Sequence, residues 1–128
     1  MDAMAHNTPL RIVVVDDDPA ARDSFGALLQ NEGYDVRLFD SCEAYLKEAV
    51  HGHADCLVLD ARFPSMSGLN CLDALQRIGV AVRTVFVMGR FDATTRARAM
   101  RHPNVVRVLD KPMEAGELVA AVRDAVTV

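Results

Sequence analysis

The chain has 128 residues, of which 51% are hydrophobic, and its 18 acidic and 14 basic side chains give a formal net charge of −4. This length suits one domain with a hydrophobic core and argues against a two-domain enzyme. The acidic balance argues against direct nucleic-acid binding by this segment through its overall charge. No apolar run comes near the roughly 20 residues that cross a bilayer, so the sequence also argues against a membrane protein.

The regular pattern of the chain begins after its first residues. Residues 1–9 lack periodicity and end in proline, so we expect a disordered leader followed by one domain over residues 10–128. From there, short β-branched runs alternate with segments of helical period, as in repeated βα units around a parallel sheet. The first, third and fourth runs are nearly continuous in apolar residues, which is typical of central strands. The predicted strands are Arg11–Val15, Asp35–Phe39, Cys56–Leu59, Thr84–Met88 and Val105–Leu109.

A helical period follows each of the first three predicted strands. The first helix is expected to have Asp18 as its N-cap and Pro19 at its first position, and Gly33 is expected to end it. The second helix begins at Ser41, and the third covers residues 68–78. The buried positions predicted for the first two helices are Ala21, Phe25, Leu28 and Leu29, then Cys42, Tyr45, Leu46 and Ala49.

The last two predicted helices differ in how much apolar surface they carry. In the fourth, from Asp92 to about Met100, only Ala93, Ala97 and Met100 suit burial. We therefore expect this helix to make a small core contact and to be the element most able to shift. The fifth helix runs from Glu114 onward, and its predicted buried side consists of Leu118, Ala121, Val122 and Ala125.

The three cysteines bear on the compartment of the protein. Cys42, Cys56 and Cys71 lack the paired short spacings of a zinc site, and no signal peptide precedes them. We therefore expect three free thiols, buried or half-buried, in a cytoplasmic protein.

Charged side chains stand at the ends of three predicted strands. Asp16 and Asp17 follow the first, Asp60 closes the third, and Lys111 follows the fifth, while Asp18 is interpreted as a helix cap. In a parallel sheet whose first and third strands are neighbours, these strand ends lie side by side at the carboxyl edge. Crowded carboxylates repel, so the arrangement favours a hard cation such as Mg²⁺, and the lysine can face an incoming phosphate. Taken singly, the aspartates could be solvated loop residues and the lysine a surface residue; their joint placement favours the site.

Three stretches carry a resemblance to a known family. VVVDDDP, CLVLDARFPSMSG and DKP stand in the order and at the intervals found in receiver domains of two-component response regulators, and roughly residues 10–127 are covered. The second stretch is most similar to FixJ-like receivers. The resemblance implies an α/β fold, a three-layer doubly wound (flavodoxin-like) five-stranded parallel sheet of order 2-1-3-4-5 with five helices. FixJ-like receivers usually precede a helix-turn-helix domain, and we expect either a stand-alone or an excised receiver, since the chain ends at its fifth helix.

The resemblance also implies individual roles. Asp60 matches the aspartate that takes a phosphoryl group from a sensor histidine kinase or phosphotransfer protein, and Lys111 matches the lysine that pairs with the phosphate. Asp17 matches the direct ligand of Mg²⁺ and Asp16 its neighbour acting through water, while Arg62 stands where a backbone carbonyl faces the metal. Beyond phosphoryl uptake and slow hydrolysis, no enzyme activity is implied.

Two switch positions depart from the family. The fourth strand ends on Met88 where a Thr or Ser is usual, and the fifth strand has Val108 where a Tyr or Phe is usual. Gly89 keeps the small residue that leaves the approach to the phosphate open. Met88 has no hydrogen-bond donor and Val108 has no ring, so we predict an intact acceptor site with an atypical switch.

The resemblance places the partner surface on the fourth helix, fifth strand and fifth helix, through which a homodimer can form. Both a solvated helix face and an electrostatic docking site for an acidic partner or a second protomer stay open for this surface. Its arginines are Arg90, Arg96, Arg98, Arg101 and Arg107.

Two other functional classes compete with the phosphoacceptor. One is a phosphorylation-independent interaction domain that keeps the acidic pocket without using it. The other is an aspartyl-phosphate hydrolase, which would need a cap and a second aspartate two residues beyond its nucleophile, where this chain has Arg62.

Overall fold

A computed structural model describes residues 8–89 and 92–127. The predictions for residues 1–7 of the leader and for Arg90 lie outside the described residues. Strands and helices alternate along the chain. The strands are β1 (Arg11–Val15), β2 (Asp35–Phe39), β3 (Cys56–Asp60), β4 (Thr84–Gly89) and β5 (Val105–Lys111). The helices are α1 (Pro19–Asn31), α2 (Cys42–Ala49), α3 (Gly68–Arg77), α4 (Ala93–Arg101) and α5 (Ala115–Val126).

The five strands form one parallel sheet of order β2-β1-β3-β4-β5, which confirms the predicted fold class. Strands β1, β3 and β4 are central, and their side chains are nearly all buried because helices cover both faces. One core cluster unites the sheet with α2, α3 and α4, and the other unites it with α1 and α5. The three layers therefore follow from strands that are apolar on both sides.

Short polar residues start most of the helices. The side chains of Asp18, Ser41, Ser67 and Asp92 each accept a hydrogen bond from a backbone N–H in the first turn of the following helix. Helix α1 ends at Asn31, and Gly33 follows with a φ of 96° that other residues rarely adopt. These local signals determine where the helices begin and where α1 ends.

Helix α4 packs on a different side from the one predicted. Its buried residue is Ala99, whereas Ala93 and Ala97 are exposed and 66% of Met100 is accessible. The prediction of Ala93, Ala97 and Met100 as the buried stripe is therefore wrong. The helix is rotated so that the alanine at position 99 faces the core, and Met100 lies at the surface. The expectation of a small core contact is confirmed.

Cys42 and Cys71 form a disulfide that joins α2 to α3, across 29 residues of sequence. The prediction of three free thiols is wrong for this pair, because the fold brings their Cα atoms to 5.9 Å although no sequence motif pairs them. Cys56 is a free, buried thiol, and burial raises its pKa to about 12.

Membrane insertion finds no support among the described helices. In residues 8–89 and 92–127 no helix combines the length and the apolar character that a transmembrane segment needs.

Candidate functional site

The carboxyl edge of the sheet gathers three aspartates. Asp16 and Asp17 follow β1, and Asp60 is the last residue of the neighbouring β3. One carboxylate oxygen from each lies within 4.8 Å of the others. Asp16 is 1% exposed and Asp60 8%, while Asp17 is open to solvent. The structure thus brings together the three acidic residues that the sequence predicts at one site, because adjacent parallel strands end at the same edge.

Lys111 completes the cluster from β5. Its Nζ donates to Asp16 Oδ2 at 3.0 Å and lies 3.3 Å from Asp60 Oδ1. Burial disfavours the charge of this ammonium, but the hydrogen bond to Asp16 and the charge of Asp60 outweigh that cost and raise the pKa of Lys111. The peptide bond between Lys111 and Pro112 is cis. The lysine is therefore a fixed positive charge facing the acidic pair.

The ionised form of Asp60 is disfavoured by its surroundings. Burial raises the pKa of Asp60, and the negative charge of Asp16 raises it further, while Lys111 acts in the opposite direction. A cation that brings positive charge to the cluster would relieve this cost. The donor set consists only of carboxylate oxygens, which fits Mg²⁺ better than a softer metal.

Two hydrogen bonds that no sequence motif predicts hold Asp16 in place. The guanidinium of Arg22, one turn into α1, donates to the carbonyl oxygen of Asp16 at 2.9 Å. The backbone N–H of Asp18 donates to Asp16 Oδ1 at 2.9 Å. Arg22 stands six residues after Asp16 with no motif around it, so only the approach of the helix to the strand end reveals its role.

Gly68 packs directly behind Asp60. A Cβ at this position would lie 2.5 Å from the backbone oxygen of Asp60, 2.9 Å from the Phe86 ring and 3.0 Å from Cα of Ala61. Because the first of these contacts is with backbone, no side-chain rotation can relieve it. The first residue of α3 must therefore be glycine for the helix to approach the site this closely.

The remaining predicted site residues surround the cluster. The side chain of Arg62 is exposed and, together with Gly89, lines a cleft beside the cluster. Met88 is 2% exposed and belongs to the core that includes α3 and α4. A Cβ at Gly89 would meet no atom within 4 Å, so this edge of the pocket is open. Val108 is half-buried against the same core as Met88.

Fold and site together define a doubly wound α/β domain with an acidic cluster and a lysine at the carboxyl edge of its sheet. Residues 12–123 match the family model described as the response regulator receiver domain. The chain is 31% identical over 114 residues to the response regulator protein TodT of Pseudomonas putida, covering 89% of this chain and 50% of TodT. It is 33% identical over 114 residues to the transcriptional regulatory protein FixJ of Azorhizobium caulinodans, covering 89% of this chain and 54% of FixJ.

Solved structures agree with these sequence similarities. The crystal structure of FixJ-N superposes with a TM-score of 0.85 at 28% identity, covering 93% of this chain and 94% of that one. The chain belongs to the response regulator receiver domains, the signalling domains of two-component systems, and the resemblance to FixJ-like receivers is confirmed. It spans about half the length of the curated relatives it matches.

Proposed function

We propose that the chain is a phosphoacceptor that takes a phosphoryl group on Asp60 from a sensor histidine kinase or phosphotransfer protein. The observation that carries the proposal is the position of the Asp60 carboxylate, within 3.3 Å of Lys111 Nζ and within 4.8 Å of oxygens of Asp16 and Asp17. A nucleophilic carboxylate, an ammonium and spare carboxylate ligands are the groups that phosphoryl uptake needs.

The chemistry follows from these positions. An oxygen of Asp60 attacks phosphorus in line, the bond from phosphorus to the donor's imidazole nitrogen breaks, and the imidazole leaves with the electron pair. Lys111 holds one equatorial oxygen of the transferred group. Asp16, Asp17, Asp60 and the backbone carbonyl of Arg62 are the groups that would hold Mg²⁺. When bound, the ion neutralises the charge that builds up between carboxylate and phosphate.

The switch is atypical under this proposal. Met88 is buried next to the site and has no donor for a phosphoryl oxygen, and Val108 offers no ring that could turn inward. A hydrogen bond to a charged group contributes about 1.5–3 kcal/mol, which is the size of a typical allosteric coupling. We therefore infer that phosphorylation of Asp60 changes the distant faces of the domain less than a threonine at position 88 would allow.

Labelling tests the acceptor role. Incubation with acetyl phosphate and Mg²⁺ should add one phosphoryl group to the intact mass of the wild type and none to Asp60→Asn. Asp23→Asn, which changes an exposed aspartate of α1, is the matched control and should be labelled like the wild type. Beryllofluoride with Mg²⁺ should bind at Asp60 without covalent change and shift the NMR signals of the residues around it. A wild type that shows neither mass increase nor perturbation contradicts the proposal.

The second candidate is a phosphorylation-independent interaction domain, which the loss of both switch side chains favours. Such a domain would stay unlabelled and would bind its partner equally well as Asp60→Asn. For the phosphoacceptor we place the protein in the cytoplasm, where kinase and acceptor meet.

The exposed Met100 and Val106 flank the cleft between α4 and β5, which supports a homodimer through α4, β5 and α5.

A further inference from the structure

The described arginines around α4 fall into two groups. Arg96 forms an ion pair with Asp110, and Arg107 forms one with Asp124, so both are held against the β5 side of the domain. Arg98 and Arg101 are exposed and have no ion pair or hydrogen bond within residues 8–89 and 92–127. No acidic residue lies within α4 itself; the nearby carboxylates are Asp73 of α3 and the N-cap Asp92, which line the same clefts as these arginines. Two cations on a domain of net charge −4 are thus left free for a ligand.

Arg98 lies where two clefts between α3 and α4 meet. One, of about 230 Å³, reaches from Met88 at the end of β4, and the other, of about 340 Å³, reaches to Arg101 and His102 at the end of α4. Both are lined by Leu69 and Arg98, so they adjoin. Together they form what we call the α3–α4 groove. Three arginines and two aspartates line it, which leaves one positive charge in excess; these are Arg62, Arg98 and Arg101 with Asp73 and Asp92. Leu69, Met88 and His102 also line the groove.

An unsatisfied donor marks the far end of the α3–α4 groove. The side chain of His102 is 9% exposed, and its Nδ1 accepts a hydrogen bond from the backbone N–H of Asn104 at 3.2 Å. A neutral ring therefore carries its proton on Nε2, and this buried atom has no hydrogen-bond partner among the described residues. Asp73 Oδ1, at 3.8 Å, is too far to accept. A ligand that brings an acceptor to this end would remove the cost of the unpaired donor.

We propose that the α3–α4 groove binds an extended acidic segment of a partner protein. The guanidinium groups of Arg98 and Arg101 offer paired donors in the planar geometry that carboxylates match. Leu69 and Met88 give the groove an apolar floor for the side chains between the carboxylates. Charge and floor together fit a chain in which acidic and aliphatic residues alternate.

A second copy of this chain fits another place. The exposed apolar side chains that suit self-association, Met100 and Val106, lie around the cleft between α4 and β5 with Arg96 and Val108. None of these four residues lines the α3–α4 groove. A homodimer through the cleft between α4 and β5 would therefore leave the α3–α4 groove open to a different partner.

Binding of a labelled peptide tests the groove. The probe is a short peptide in which Asp and Glu alternate with Leu, and its counterpart carries Asn and Gln instead. Fluorescence anisotropy should show that the wild type binds the acidic peptide and not the amide peptide. The variant Arg98→Glu with Arg101→Glu should weaken binding about tenfold or more, because two attractive contacts become repulsive.

A matched charge change separates the groove from the overall field. Lys47→Glu with Arg77→Glu alters two exposed cations that line neither cleft, and its affinity should stay within about twofold of the wild type. Equal losses in both double variants, no binding by the wild type, or tighter binding of a single-stranded oligonucleotide would each overturn the proposal. The peptide-binding assay contains no Mg²⁺ and no phosphoryl analogue, so a negative result in it does not bear on the phosphoacceptor role.

Discussion

At the residue scale, the site is a balance of charges in a small volume. Asp60 shares its pocket with Asp16, and Lys111 contacts both carboxylates without fully compensating them, since the pKa of Asp60 stays raised. The surroundings of Asp60 therefore favour the binding of a cation. Two measurable consequences follow, one electrostatic at Asp60 and one steric at Gly68.

Asp60→Asn should stabilise the protein at neutral pH in the presence of a chelator. The native state holds the Asp60 proton to higher pH than the unfolded chain, whose aspartate has the ordinary pKa of 3.8. At pH values above 3.8 the native state thus binds more protons than the unfolded state. The stability of the wild type therefore falls as the pH rises from 3.8 through the raised pKa of native Asp60. Removing the charge should add about 1 kcal/mol to the free energy of unfolding near pH 7.

The pH dependence provides the control for this charge effect. As the pH falls to 3.8 and below, Asp60 takes up its proton in the native and the unfolded states, so the difference in urea midpoint should shrink. Asp23→Asn should show no comparable gain at neutral pH. A wild type that is more stable than Asp60→Asn at pH 7 without metal would contradict the assignment of a raised pKa.

Gly68→Ala should destabilise the fold by about 2 kcal/mol, because its Cβ would overlap the backbone oxygen of Asp60. We also expect slower labelling by acetyl phosphate, because α3 and the backbone of Asp60 must move apart to make room for the Cβ. Gly116→Ala in α5 is the matched control, as its Cβ would meet nothing within 4 Å. That change should stabilise the helix by about 0.5–1 kcal/mol. Equal stability of both variants in urea unfolding would sink the steric argument.

At the scale of elements, the helices on one face of the sheet are attached unequally. Helices α2 and α3 are joined by the Cys42–Cys71 disulfide and by packing of buried side chains from both. Helix α4 contributes the single buried residue Ala99 and is tied to β5 by the pair of Arg96 with Asp110. The firmly held side of the α3–α4 groove is therefore α3, and the weakly packed side is α4.

Thiol counting tests the link between α2 and α3. Alkylation of the denatured chain should modify one cysteine without reductant, Cys56, and three after reduction. Reduction should lower the free energy of unfolding by about 3–4 kcal/mol, the chain-entropy value for a loop closed across 29 residues. In Cys42→Ala with Cys71→Ala, reductant should change nothing. Three modified cysteines in the unreduced wild type would contradict the disulfide.

At the scale of the whole molecule, the question is whether an event at Asp60 reaches α4 and β5. Met88 lies between them: its strand, β4, pairs with β3 on one side and β5 on the other. The thioether of Met88 packs in the core and has no donor for a hydrogen bond to a phosphoryl oxygen. The domain should accept a phosphoryl group while its far surfaces change little.

Met88→Thr should restore a response to beryllofluoride with Mg²⁺. In ¹H–¹⁵N spectra we expect the wild type to shift only around the acidic cluster, and Met88→Thr to shift in α4 and β5 as well. Met88→Val has nearly the shape of the threonine without its hydroxyl and should behave as the wild type. Both variants should lose roughly 2 kcal/mol of stability through smaller side chains in the core. Wild-type shifts that already reach α4 would show a route that needs no hydroxyl.

Much of the fold follows from local sequence. The alternation of β-branched runs with helical periods predicts all five strands; β1 and β2 have the predicted bounds, and β3, β4 and β5 end one or two residues later than predicted. Caps such as Asp18 and Ser41 act within one helical turn, so they too can be predicted from the local sequence. The acidic cluster could be predicted because parallel strands end at a common edge and the family resemblance implies that β1 and β3 are neighbours.

By itself, then, the sequence determined the strands, the helices and the placement of Asp16, Asp17, Asp60 and Lys111 at strand ends, because each depends on local periodicity and strand polarity. The order of the strands, which brings these residues together, was implied by the family resemblance. Only the tertiary structure decided which face of α4 is buried, that Cys42 meets Cys71, and that Arg98 and Arg101 stay free while Arg96 finds an acid. These outcomes depend on the rotation and approach of whole helices. Such rigid-body positions are set by the packing of many side chains together, and no short stretch of sequence encodes them.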